Sequence, residues 1–146
     1  VRGLAQEIVD ATQRKYAGAT GLRIQGQFPD GPCLVSGDRT QIRQVFVNLA
    51  KNGVEAMSEQ GTLQIVVAPG ASYVEVRFDD EGPGVDPDKV ARIFEPFYTT
   101  KEHGVGMGLA ICMRIVTAHD GTIRAASRQG GGTSMTVRLP LVRAEE

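Results

Sequence analysis

Excess charge of either sign is nearly absent from this sequence: 16 Lys and Arg stand against 17 Asp and Glu over 146 residues, a formal net charge of −1. Proteins that bind nucleic acids or other polyanions ordinarily carry a basic surplus, so that class is set aside. Cysteine is scarce as well. Cys33 and Cys112 lie far apart inside apolar segments, with no other sign of a secreted disulfide framework, so reduced core thiols are expected. No apolar run approaches the ~20 residues that span a bilayer, and no signal peptide opens the chain. A P-loop Gly-Lys-Ser/Thr occurs nowhere, and no strand directly precedes the glycine repeat at 104–108, as a dinucleotide-binding fold would require. What is present is one domain's worth of chain, 1–146, with a hydrophobic fraction of 41% that can build a sizeable core. A chain that starts Val-Arg-Gly and stops within a charged run is expected to be a piece cut from a longer protein.

Periodicity lays out the elements. Leu4, Ile8, Val9 and Ala11 recur at helical spacing over residues 2–17. Leu22 to Phe28 reads as a strand closed by Pro29-Asp30-Gly31-Pro32, and Cys33-Leu34-Val35 as a brief second strand. Asp38 is placed to cap the longest helix, running to about Ser58, with Ile42, Val45, Phe46, Leu49, Gly53 and Met57 on one face. Thr62–Val67 and Ser72–Asp80 alternate as strands on either side of Pro69-Gly70 and are expected to form a hairpin. Pro87 should open a short helix through Ile93; residues 95–103 read as a loop; a helix follows Gly104, with Leu109, Cys112, Met113 and Val116 on one face. Strands at Thr122–Ser127 and Thr133–Leu139, joined by Gln129-Gly130-Gly131-Gly132, close the chain.

Three places could carry chemistry. Val74, Val76 and Phe78 share a strand face, and counting on by two puts Asp80 on that apolar side, next to the glycine-rich turn Gly82-Pro83-Gly84. A carboxylate aimed inward is costly unless something hydrogen-bonds to it, and backbone without side chains can approach a ligand closely. An amino-bearing heterocycle would suit that arrangement; an acidic turn after a strand is the plain alternative. Asn48 and Asn52, one turn apart at the border of the long helix's apolar face, are either part of a solvated face or a pair of amide oxygens aimed into a cleft, able to ligate a hard cation. Glycines at the helix entrance near Gly104 would leave backbone N–H groups facing an anion.

In this order the segments resemble the catalytic ATP-binding domain of bacterial sensor histidine kinases, within the superfamily shared with gyrase, the mismatch-repair ATPase and the ninety-kilodalton chaperone. Gln44–Ala56 looks like the N box, Asp80–Gly84 like the first glycine box, and Ile93–Lys101 like the F box of the nitrogen-regulator and oxygen-sensor branch. Gly104–Leu109 resembles the second glycine box and Gly130–Thr133 the last. The likeness covers nearly the whole chain. It implies an α/β two-layer sandwich, a mixed sheet with helices on one face and a flexible ATP lid, residues 95–107.

The resemblance also implies roles. Asn52 would hold the Mg2+ that bridges the ATP phosphates, with Asn48 beside it on phosphate. Asp80 would accept a hydrogen bond from the adenine amino group, supported by Thr133, while Gly82 and Gly84 admit the backbone to the base. Gly104, Val105, Gly106, Met107, Gly108 and Leu109 would cradle phosphates, and Lys101 would reach one. Hydrolytic members of the superfamily keep a water-activating glutamate at the position of Asn48; an amide cannot act as a base, so transfer rather than hydrolysis is implied, to a histidine on a separate helical dimerisation domain. Neither His103 in the lid nor His119, whose His119-Asp120-Gly121 is similar to a structural turn of the family, looks like that acceptor. The fragment is therefore expected to be monomeric, cytoplasmic whether or not its parent is membrane-anchored, unable to autophosphorylate alone, and to serve a response regulator downstream. The rival readings are an anti-sigma-factor serine kinase, a nucleotide-dead module of the same fold that contacts a response regulator, and a stand-alone ATPase.

Overall fold

A computed structural model describes residues 1–31, 33–90, 92–95 and 108–142. Five strands form one mixed sheet: β1 (Leu22–Gln27), β2 (Gly61–Pro69), β3 (Tyr73–Asp79), β4 (Thr122–Ser127) and β5 (Thr133–Pro140), in the order β1-β2-β3-β5-β4. β1 and β2 run parallel, with Ile24 opposite Leu63; every other neighbour is antiparallel. The hairpin expected around Pro69-Gly70 is β2–β3, closed by the Gly70 N–H on the Tyr73 carbonyl at 2.6 Å. Period-2 alternation sorts the faces. Leu63, Ile65, Val67, Val74, Val76, Phe78, Met135, Val137 and Leu139 are buried together, whereas Glu75, Arg77 and Arg138 on the opposite face stay partly or fully exposed. The apolar face needs a cover, and three helices supply it: α1 (Arg2–Lys15), α2 (Arg39–Ala56) and α3 (Gly108–Ala118).

α2 lies central in that layer. Asp38 Oδ1 accepts from the N–H groups of Thr40 and Gln41, at 2.9 and 3.2 Å, satisfying two of the donors that a helix start leaves unpaired. Its buried stripe of Ile42, Val45, Phe46, Leu49 and Val54 faces the sheet, and the Phe46 ring meets Phe78 of β3 at 5.7 Å between centroids, tilted by 55°. Helix and parallel strands are one unit, since α2 is the crossover that joins β1 to β2. α3 is tied to α2 at its far end: His119 Nε2 accepts from the Asp38 N–H at 3.1 Å, and Nδ1–H donates to the Ile115 carbonyl at 2.8 Å. The ring lies so close over Gly37 that a Cβ there would overlap it.

Local expectations differ from the structure in three places. α2 stops at Ala56, because Ser58 and Glu59 adopt φ of 52° and 59° and turn the chain out of the helix. Cys33-Leu34-Val35 is not a strand; the Leu34 carbonyl accepts the Val142 N–H at 2.8 Å and the Cys33 carbonyl accepts the N-terminal ammonium of Val1 at 3.0 Å, two isolated bonds that make no ladder. After Pro87 only a 3-10 turn forms, Pro87–Lys89, capped by Asp86 Oδ1 on the Asp88 N–H at 3.0 Å, with further turns among 92–95.

Candidate functional site

Strand parity carries Asp80 inward as the sequence predicts: it is buried at 4% exposure where β3 ends. Main-chain donors explain how a carboxylate tolerates that position. Oδ1 accepts from the Gly82 N–H at 2.8 Å and from the Thr133 N–H at 3.2 Å, and the Asp80 N–H returns a bond to the Thr133 carbonyl at 2.9 Å. No described residue donates to Oδ2. Burial raises the Asp80 pKa above the ordinary carboxylate value; the two backbone donors and the Arg128 charge pull it back, and neighbouring Asp79 pushes it up again.

The wall across from Asp80 is α2. A Cβ on Gly53 would stand 3.6 Å from Asp80 Cβ, 3.8 Å from Oδ2 and 2.8 Å from Leu63 Cδ1, so a residue without a side chain lets the helix come close. Asn52 adjoins Gly53 and is half-buried. One turn earlier Asn48 Nδ2 donates to Cys112 Sγ of α3 at 3.8 Å, and that sulfur in turn faces the Val45 carbonyl at 3.8 Å. Burial pushes the Cys112 thiol up to about 11, so its proton stays in place to donate to Val45 while its lone pairs face Asn48. That contact uses one of the two Nδ2 hydrogens and leaves the Asn48 oxygen as an acceptor for other partners. No group of three or more His, Cys, Asp or Glu that could hold a metal exists among the described residues. A cation here would therefore rest on amide oxygen and on ligand phosphates and waters, a donor set that fits Mg2+.

Glycines shape the remaining walls. Gly82 packs its backbone against the last turn of α2, where a Cβ would come 2.9 Å from the Ala56 carbonyl oxygen. Gly132, at φ of 102°, lies on Asp80, and any side chain there would overlap the Asp80 carbonyl. Three contacts were not evident from sequence. Arg128 Nη1 donates to the Asp80 carbonyl at 2.8 Å. Ser127 Oγ donates to the Val85 carbonyl at 2.6 Å and accepts the Val85 N–H at 3.1 Å, holding the Gly82–Val85 turn. Glu81 Oε1 accepts the Thr62 N–H at 2.5 Å, fixing the start of β2. The one available sequence signal was that Ser127 and Arg128 adjoin a glycine run known to be a turn.

Asp80, Gly82, Gly84 and Thr133 thus come together, with Asn52 on the facing helix; Asn48 lies one turn away toward α3, and Gly108 and Leu109 form the α3 entrance. Lys101, Gly104, Val105, Gly106 and Met107 lie outside the described residues, as does most of the expected lid. No described helix is long and apolar enough to cross a membrane.

Comparison with known proteins agrees with this geometry. Residues 37–143 match the model of the histidine kinase-, DNA gyrase B- and HSP90-like ATPase family. The chain is 45% identical over 109 residues to sporulation kinase C of Bacillus subtilis, covering 75% of this chain and 26% of that protein. It is 39% identical over 143 residues to the signal transduction histidine-protein kinase BaeS of Escherichia coli, covering 94% and 30%. The chain accordingly spans less than a third of the length of the curated relatives it matches first. Among solved structures, full-length ShkA in complex with AMPPNP superposes with a TM-score of 0.87 at 28% identity, covering 99% of this chain and 31% of ShkA. The nucleotide-free catalytic domain of the histidine kinase ThkA gives 0.86 at 31% identity, covering 96% and 91%. The fold, the placement of the buried carboxylate and these matches lead to one statement: the chain belongs to the histidine kinase-, DNA gyrase B- and HSP90-like ATPase family.

Proposed function

We propose that this chain is the ATP-binding catalytic domain of a two-component sensor histidine kinase, residues 1–146 forming a single domain. It binds Mg-ATP and presents the γ-phosphate to a histidine on a separate helical phosphoacceptor domain. The observation that carries the reading is Asp80: a buried carboxylate with one oxygen accepting from two backbone donors and the other accepting from no described residue, beside Gly53, Gly82 and Gly132, which let helix and turns pack close around it. Oδ2 accepts from the exocyclic amine of adenine. Asn52 supplies an amide oxygen to the cation, which neutralises phosphate charge when bound. Asn48 assists on the phosphate side, and Gly104, Val105, Gly106, Met107, Gly108 and Leu109 offer N–H groups to the phosphates. Lys101 adds a positive charge. Because Asn48 stands where a water-activating base would be needed, the domain holds ATP for transfer and hydrolyses it slowly.

The partners follow from that reading: the histidine-bearing dimerisation domain upstream in reaction order and a response regulator downstream. The structure of ThkA in complex with the response regulator protein TrrA, 27% identical and with a TM-score of 0.84, supports the second. The deciding experiment is calorimetric titration with ADP and ATP, with and without Mg2+, alongside a phosphate-release assay. Micromolar, Mg2+-sensitive binding with negligible release is expected. Absence of binding would replace this reading with a nucleotide-dead module, and brisk release with a stand-alone ATPase.

A further inference from the structure

Arg128 is not part of any motif that suggested the nucleotide site, yet it lies directly on that site's buried acid. Its Nη1 donates to the Asp80 carbonyl at 2.8 Å across 48 residues of sequence. The guanidinium is held there by its own turn: the Arg128 N–H donates to the Gly132 carbonyl at 2.9 Å, the Gly131 N–H donates to the Arg128 carbonyl at 3.2 Å, and Gly132 leaves no atom between turn and acid. We infer that Arg128 is the positioning residue of the base-recognising carboxylate, fastening the Gly130–Gly132 turn over Asp80 and holding a positive charge against it so that Oδ2 stays an ionised acceptor.

Charges around Asp80 make Arg128 the balancing group. From β3 the neighbour is Asp79, a like charge whose own oxygens are taken by Arg77 at 2.8 Å and Ser134 at 2.6 Å. Glu81, next in the chain, turns away to the Thr62 N–H. α2 presents Gly53, and the nearby Lys51 and Glu55 pair with one another at 3.8 Å. β5 offers the neutral Thr133. Burial and Asp79 both favour the protonated acid, whereas Arg128 alone among the described side chains opposes them. A protonated Asp80 would no longer be the strong anionic acceptor that an exocyclic amine seeks.

This inference rests on the reading of Asp80 as the base-recognising group, and the test separates the two. ADP affinity is measured by calorimetry across pH for the wild-type chain, Arg128→Gln, Arg128→Met and Arg128→Lys, and the Asp80 carboxyl carbon is titrated by NMR in the ligand-free proteins. Affinity falls on the acid side in each protein. In Arg128→Gln that limb moves upward by about one pH unit, the low end of what one opposite charge at close range contributes, and affinity recovers at alkaline pH. Arg128→Met, which keeps an apolar stem over the turn, gives the same displacement should the Gln variant fold poorly, and Arg128→Lys retains the wild-type limb. Equal loss at every pH, or no change at any, would overturn the inference. If the wild-type chain binds no ADP, the nucleotide reading fails instead. The Asp80 titration then still decides: an upward displacement without Arg128 upholds the coupling, and an unmoved midpoint refutes it.

Discussion

Asp80 is held between opposing pressures, and the balance predicts how the molecule answers pH. Burial is the largest influence and raises its pKa, while Gly82, Thr133 and Arg128 oppose it. A carboxyl whose folded pKa lies above its unfolded one favours the fold most below the unfolded pKa, and loses that contribution as pH rises through the folded value. On the proposed role of Asp80, nucleotide binding runs the other way, because an adenine amine would need the ionised acceptor, so ADP affinity should drop as pH falls through the same raised pKa. Asp80→Asn keeps an oxygen for both backbone donors and removes the buried charge. Chemical denaturation should show this variant gaining stability relative to wild type as pH is raised from mild acid to neutral, while ADP affinity falls by about two orders of magnitude, near the worth of a hydrogen bond to a charged acceptor. Wild-type affinity in Asp80→Asn would count against the adenine role. For Asn52→Ala the signature is different: metal-free ADP binding is kept and the enhancement by Mg2+ is lost. Equal Mg2+ enhancement in both proteins would remove Asn52 from the cation site.

At the level of elements, the turn between β4 and β5 and the junction of α2 with α3 deserve separate tests. Gly132→Ala adds a Cβ against the Asp80 carbonyl at a φ of 102°, so it should cost about 2–3 kcal/mol in equilibrium unfolding, the range of overpacking in a closed site. His119→Ala deletes the bond from the Asp38 N–H and should cost about 1 kcal/mol by the same measurement. These two positions also mark the boundary of what the amino-acid sequence makes legible. Asp80's inward direction follows from a period of two counted over a few residues, and α2's buried stripe from a period of 3.6; both are local, so both are readable. Cys33-Leu34-Val35 has the composition of a strand, but a strand needs a neighbouring strand, and among the described residues this segment meets Val142 and the N-terminal ammonium of Val1 instead. The end of α2 turned on the positive φ of Ser58 and Glu59, residues whose type does not require it. Arg128 and Glu81 were unreadable for another reason: their partners are 48 and 19 residues distant, and nothing in their local spacing says which carbonyl or N–H they will meet.

Considered as a whole, the molecule is a sheet with one dry face under three helices and one wet face of paired charges, such as Arg138 with Glu75 at 2.6 Å. A domain that holds ATP without a base at Asn48 should release little phosphate by itself yet label an added helical phosphoacceptor domain. Incubation with ATP, followed by separate counting of free phosphate and protein-bound phosphate, checks this; label on this chain alone would contradict it. Connectivity adds a last consequence. The segment from β1 through α2 to β2 closes the parallel pair and also bears Asn48 and Asn52, whereas β2 and β3 are joined by a short exposed turn. Rearranged or split versions of the protein should respect that difference. New termini opened at Gly70–Ser72 would divide only a hairpin and leave a folded, ligand-competent molecule. A cut between Gln27 and Arg39 would release α2, with Asn48 and Asn52, from its edge strand, and losses of stability and of ligand binding would arrive together.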